Sequence, residues 1–242
     1  ADQAAHFAAI RAAYLDGGPE SANGHLQLIS STSLQRLFGE YDRRCFGGWL
    51  GQEAGRRGTL VLAPNRLLSS SAGRIRRFDH ASSDGAPRTC FEITVSTRLL
   101  TLSFPDPADR EVEICGHICR DRLDGLMRIL EHEIVHLAEY LAWNRSSCAR
   151  APFRHVARAV FGHTRFRHSL ITPRLAAERD YGIRTGMWVV FDFNGRRLAG
   201  RVNRINRRAT VLVEDAGGEL FSDGRRYAAF YVPLQALRPE GG

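Results

Sequence analysis

Apolar residues recur at helical spacing in several stretches of the chain. Phe7, Ile10, Tyr14 and Leu15 give the Ala-rich segment 2–15 a helical period, and Asp16-Gly17-Gly18-Pro19 stops it. Leu34, Leu37, Phe38, Tyr41 and Phe46 predict a second helix from Ser33 to Phe46. Thr32 or Ser33 can cap that helix, and Gly47-Gly48 ends it. A long helix is predicted from Asp121 to Trp143, with Leu123, Leu126, Ile129, Leu130, Leu137 and Leu141 at packing positions. A shorter one follows from Pro152 to Phe161, with proline in its first turn.

Elsewhere the pattern is that of strands. Thr59–Leu62, Arg74–Phe78 and Cys90–Val95 are predicted as strands, separated by loops rich in Ser, Gly, Asp and Pro. Towards the C-terminus, Val189–Phe193, Arg197–Ile205, Thr210–Val213 and Tyr227–Val232 are short strands with turns at Asn194-Gly195, Asp215–Gly218 and Asp223-Gly224. The fold class expected is α+β. An N-terminal helix and linker occupy 1–30, and a main domain with a small antiparallel sheet spans 31–180. A small all-β barrel spans 181–242, with the boundary near Asp180–Gly186.

Composition narrows the class. The 242 residues are 43% hydrophobic and 25% charged, as in ordinary soluble globular proteins. No stretch approaches the ~20 apolar residues of a membrane helix, and no signal peptide is visible. A cytoplasmic protein without a membrane partner is therefore expected. Five cysteines (Cys45, Cys90, Cys115, Cys119 and Cys148) are odd in number and widely spaced, which fits reduced thiols better than a disulfide framework. Cys115-Gly116-His117-Ile118-Cys119 also has the spacing of a metal half-site that Cys148 and His155 could complete. The net charge is +8, and every strong cation is arginine, since the chain contains no lysine. A GC-rich genome accounts for most of that bias. The functional reading is affinity for phosphate, which the guanidinium contacts in a bidentate fork.

His132-Glu133-Ile134-Val135-His136 is an HExxH sequence inside the long predicted helix. Residues four apart share a helix face, so both imidazoles can reach one zinc ion (Zn2+), with Glu133 beside it as a general base. A catalytic zinc usually has a third protein ligand. The metzincin extension fails because Glu139 stands where it needs glycine. His155, His163 and His168 are the downstream candidates, and Glu178 is an acidic one. His163 lies just past the end of the Pro152–Phe161 helix, at a turn from which it can fold back to the motif.

With these residues in view, residues 31–170 resemble the SprT-like (Spartan-type) metallopeptidases. The likeness rests on Leu34-Gln35-Arg36-Leu37-Phe38 with Tyr41 and Phe46-Gly47-Gly48-Trp49-Leu50, on Leu130-Glu131-His132-Glu133-Ile134-Val135-His136, and on Gly162-His163. It implies a zincin-type domain, zinc held by His132, His136 and His163, and Glu133 as catalytic base. The family usually reads His-Gly-x-x-Phe at the third ligand. This chain has His163-Thr164, with Phe166 one place early, and a long interval after His136. The run Asn206–Val213 with Tyr231-Val232-Pro233-Leu234 looks like a small SH3-like barrel that follows some bacterial members. The resemblance further implies a protein substrate bound or crosslinked to DNA, single-stranded or disrupted. Arg196, Arg197, Arg201, Arg204, Arg207, Arg208, Arg225 and Arg226 would then contact phosphates, and Phe193, Tyr227 and Tyr231 would stack on bases. Arg74, Arg76 and Arg77 form a smaller basic patch, which also reads as a charged strand edge. The competing readings are a DNA-binding protein with a structural zinc, and a dedicated regulatory or toxin-like peptidase that does not depend on DNA.

Overall fold

The computed structural model describes residues 3–16, 24, 26–81, 85, 87–105, 111–166 and 168–240. It is an α+β structure in two compact units, residues 1–170 and 171–242. The linker expected before residue 31 lies largely outside the described residues.

The first unit begins with α1 (Gln3–Asp16) and α2 (Ser31–Phe46). Leu34, Leu37, Phe38 and Tyr41 are buried, as their spacing predicts. The cap is Ser30, one turn earlier than expected. Its hydroxyl accepts from Ser33 N at 3.0 Å while the Ser33 hydroxyl accepts from Ser30 N at 2.8 Å, so Ser33 is the third residue of a capping box. Gly47 and Gly48, both with positive φ, end α2 and open α3 (Trp49–Arg57), a helix the sequence pattern hid. Gly48 has no side chain to cap it. Buried Asp42 substitutes, accepting from Leu50 N and Gly51 N at 2.9 and 2.8 Å.

The three expected strands form one sheet: β1 (Gly58–Asn65), β2 (Gly73–Ala81) and β3 (Pro87–Ser96), in the order β1-β3-β2. The sheet is mixed, not antiparallel as expected. β2 and β3 pair antiparallel, and β1 joins the other side of β3 after two chain reversals, so β1 and β3 run parallel. Central β3 buries Phe91, Ile93 and Val95 on its core face. A short helix, α4 (Thr97–Ser103), follows, and then a small hairpin of β4 (Val112–Ile114) and β5 (His117–Cys119).

The long helix α5 (Arg122–Trp143) runs through the core of this unit. Asp121 caps it, accepting from Asp124 N at 2.8 Å, and Asn144 ends it in the left-handed conformation at φ 59°. Leu123, Leu126, Met127, Leu130, Ile134, Val135 and Leu137 are fully enclosed. α6 (Ala151–Phe161) packs beside it through Phe153 and Ala157 and ends at left-handed Gly162.

The second unit starts at Ile171, before the expected boundary, because α7 (Pro173–Tyr181) buries Ala177 in the same core as the strands that follow. Those strands are β6 (Trp188–Phe193), β7 (Arg196–Ile205), β8 (Ala209–Leu220), β9 (Arg226–Val232) and β10 (Arg238–Pro239), all antiparallel, in the order β10-β6-β7-β8-β9. Among the described residues the end strands β9 and β10 do not pair, so the sheet is not a closed barrel. Asn194 and Gly195 both take positive φ, as an Asn-Gly hairpin turn requires.

Replacing Ser30 with alanine removes one capping partner of α2. Denaturant unfolding should show a loss of about 1 kcal/mol. An unchanged unfolding midpoint would contradict the capping role.

Candidate metal centre

Helix α5 is apolar on most of its surface, yet Arg128, Glu131, Glu133 and Glu139 are buried on it, with His132 and His136 half-buried. A buried polar group without a partner costs several kcal/mol, on the order of 2–7. Each of these side chains therefore fixes something around it.

Glu131 gathers a closed network. Its carboxylate accepts from Arg128 at 2.9 Å, from the Tyr41 hydroxyl at 2.8 Å and from His163 Nε2 at 2.9 Å. Burial alone would raise its pKa. The His163 hydrogen bond and the Arg128 charge outweigh burial and hold it below the usual carboxylate range. Arg128 in turn lies under the Phe7 ring of α1, 3.7 Å from its centroid.

Glu139, three residues past the motif, reaches the loop between α5 and α6. It accepts from the Ser146 hydroxyl at 2.5 Å and from Ser147 N at 3.2 Å. The Ser146 oxygen also lies 2.6 Å from His136 Nδ1. Because Ser146 donates to Glu139, His136 Nδ1–H donates to Ser146, which leaves Nε2 as the nitrogen free for a metal.

Glu133 accepts from Ile75 N of β2, and Gly73 lies so close that a Cβ there would sit 2.7 Å from Glu133 Oε1. Burial pushes the Glu133 carboxyl up to about 8. A cavity of about 350 Å³ opens here, lined by Ala72, Gly73, Cys115, His132, Glu133, Phe166 and His168 among others.

His132 and His136 lie one turn apart with ring centroids at 4.9 Å, and the Phe153 ring packs on both. Burial lowers His132 to about 3 and His136 to about 4, so both rings are neutral near pH 7 and able to donate a lone pair. His132 Nδ1 faces the Cys115 thiol at 3.9 Å. Cys115 reaches it because the β4–β5 turn holds Cys115 and Gly116 at φ 54° and 86°.

Two donor groups of metal-binding kind result, and they share His132. One is Cys115, His132 and His163. The other is His132, His136 and Cys148. Within each group the ligand atoms lie within 4.8 Å of one another. The donors fit zinc, which binds imidazole and thiolate in either arrangement. The expected trio of His132, His136 and His163 does not come together as one group among the described residues; His163 bonds Glu131 through Nε2 and keeps a buried Nδ1 with no hydrogen-bond partner. His155 is exposed on α6, and Glu178 belongs to the second unit, where it pairs with Arg184. His168 lines the cavity with a buried Nδ1 that has no hydrogen-bond partner. The alternative site that Cys148 and His155 would complete with Cys115 and Cys119 does not group among the described residues: Cys119 is buried with its thiol on the His117 carbonyl, and all five cysteines are free thiols, as expected. Cys148, Ser146 and Glu139 were not read as parts of the HExxH site from sequence. The legible signal was an acidic residue on the buried face of the helix.

In the second unit, Arg204, Arg207, Arg208 and Tyr231 line one groove, with Tyr231 69% exposed. Arg201, Arg225 and Arg226 instead hold Gly186 O, Glu214 and Gly218 O within their own fold. Arg196 and Arg197 are exposed on β7. Phe193 packs on Phe230, and Tyr227 donates to Asp223. In the first unit, Arg76 and Arg77 of the smaller patch pair with Glu92 and Asp79 on the sheet. No helix among the described residues is long and apolar enough to cross a membrane. Comparisons with protein-family models, with curated proteins and with solved structures find no match to this chain.

Replacing Glu131 with alanine strands Arg128 in the core without its carboxylate and unties Tyr41 and His163. Unfolding experiments should show a loss of about 3–5 kcal/mol. A loss below about 1 kcal/mol, the range of a surface pair, would show that the network is not structural.

Proposed function

We propose that this chain is a zinc-dependent endopeptidase, similar to the SprT-like metallopeptidases, that acts on DNA-bound or DNA-crosslinked protein. One observation carries the peptidase reading: a single turn of α5 presents two neutral imidazoles with a carboxylate between them in sequence, and that carboxylate lines an apolar cavity with His132. Zinc held by His132 and His136 would supply a Lewis acid that acidifies water and polarises a peptide carbonyl. The chain's own residues carry the protons and the positioning. Burial holds the Glu133 carboxyl up at about 8, so it acts as a base only once ionised, which the charge of a bound cation would favour. It then takes a proton from water on its carboxylate and returns it to the leaving nitrogen. The Ile75 N–H and the bare Gly73 fix where that carboxylate sits. Among the described residues β2 pairs with β3 alone. With Ala72 and Gly73 lining the cavity, an extended peptide can lie along that edge by strand addition.

The second reading, a structural zinc in a DNA-binding protein, is favoured by one observation. Cys115 and His163 are both buried, so an ion on Cys115, His132 and His163 would sit on the more deeply buried of the two donor groups, as structural zinc sites do.

The DNA part of the proposal rests on the second unit, read as an SH3-like module. It is supported by the net charge and by the groove of Arg204, Arg207, Arg208 and Tyr231. A cytoplasmic, nucleoid-associated location belongs to the same proposal.

Glu133→Gln should bind zinc as the wild type does while cleavage of a protein substrate is lost, by about 10²–10⁴-fold as for a general base. Cleavage at the wild-type rate would sink the assignment. For DNA, changing both Arg207 and Arg208 to glutamine should weaken binding of a single-stranded oligonucleotide. The slope of log K against log salt should then become shallower by about 1.4, at roughly 0.7 per phosphate contact. An unchanged slope would remove this groove from the DNA site.

A further inference from the structure

The cysteine of the α5–α6 loop has no part in the chemistry described so far, yet it stands beside the two motif histidines. Cys148 Sγ shares a donor group with His132 and His136 in which all ligand atoms lie within 4.8 Å. A tetrahedral zinc with bonds of ~2.0–2.3 Å needs donors roughly 3.3–3.8 Å apart, so about 1 Å of side-chain adjustment closes the group. The placement of Cys148 is not left to a free loop. Glu139, 3% exposed, holds Ser146 and Ser147, the two residues just before it. The Arg150 N–H bonds back to Ser147 O at 3.0 Å and closes the turn that contains Cys148. The same Ser146 hydroxyl orients His136, so one buried carboxylate sets both a motif histidine and the cysteine loop.

The rival third donor, His163, belongs to the other donor group. His163 has no exposed surface, and its Nε2 is committed to Glu131. Its Nδ1 is buried with no hydrogen-bond partner, and His163 groups with Cys115 and His132, not with His136. An ion placed there would give up the second histidine of the motif. Its donors Cys115 and His163 are both buried, although Cys115 also lines the cavity, whereas His132, His136 and Cys148 are all only half-buried. A catalytic metal needs an open position, and the less buried donor group is the better placed to leave one.

We infer that Cys148 is the third protein ligand of the α5 metal, making the centre His132, His136 and a thiolate instead of three imidazoles, with Glu139 as the positioning residue that pins its loop. This rests on the reading that α5 holds a metal. A thiolate ligand leaves the bound divalent ion with one less positive charge than three neutral imidazoles would.

The test uses the full chain loaded with Co(II) in place of zinc, read by absorption spectroscopy and metal titration. The wild-type protein should show a thiolate-to-cobalt charge-transfer band in the near ultraviolet. Cys148→Ala and Cys148→Ser should both lose that band, keep a wild-type circular dichroism spectrum, and bind Co(II) more weakly by at least about tenfold, since even losing an outer partner costs 10–100-fold. Glu139→Gln should keep the band and weaken binding by about 10–100-fold. Cys115→Ala should keep both band and affinity. A band that survives in the Cys148 variants and vanishes in Cys115→Ala would place the ion in the buried group and overturn the inference. Co(II) uptake without a charge-transfer band would overturn it too, while leaving the zinc reading intact. A wild-type chain that takes up neither Co(II) nor zinc would remove both.

Discussion

A helix enclosed on most of its faces cannot leave an ionisable side chain without a partner, and in this protein that constraint organises the first unit around α5. Each polar residue of Arg128–Glu139 recruits a different neighbour. Glu131 draws in Tyr41 from α2 and His163 from the end of α6, with Arg128 beside it. Glu139 draws in the loop at Ser146 and Ser147. Glu133 takes a backbone N–H of β2. The surrounding elements are thus positioned by hydrogen bonds to one helix as well as by the apolar core.

His132 is the least satisfied member of this set. Among the described residues its hydrogen-bonding contact is a long approach to the Cys115 thiol, while His136 is well oriented by Ser146. It also belongs to both donor groups. A buried imidazole so placed gains a partner when a cation arrives, which is why the polar cost of α5 and a metal site are two aspects of one arrangement. Burial keeps both motif rings neutral, so the structure prepares ligands without first having to remove a proton.

Much of this was legible in the sequence because it rests on local period and spacing. The α2 and α5 faces, the three strands of the first sheet and the Asn194-Gly195 hairpin follow from side-chain alternation and turn chemistry. The spacing of His132 and His136 likewise needs only the helical repeat. Short helices were harder: α3 contains Gly51 and Gly55 and depends on a carboxylate from Asp42 of the preceding helix, which no local pattern reveals. The unit boundary was missed because α7 has a weak apolar face, and one small residue, Ala177, decides which core it joins. Which donors join His132 depends on contacts of the same long-range kind. Gly162 does turn the chain after α6, as the sequence indicates, but which partner His163 then meets depends on Glu131, across the core from it in sequence terms. The nearness of Cys148 depends on Glu139 in the same way.

The central claim is that α5 carries a metal on His132 and His136. The most direct measurement is anomalous diffraction at the zinc absorption edge from crystals of the zinc-loaded chain. The account predicts one strong anomalous peak bonded to His132 Nε2 and His136 Nε2, with Glu133 beside it and Glu131 still bonded to His163. A peak bonded to Cys115 and His163 with His136 unligated, or no peak on α5 at all, would contradict it.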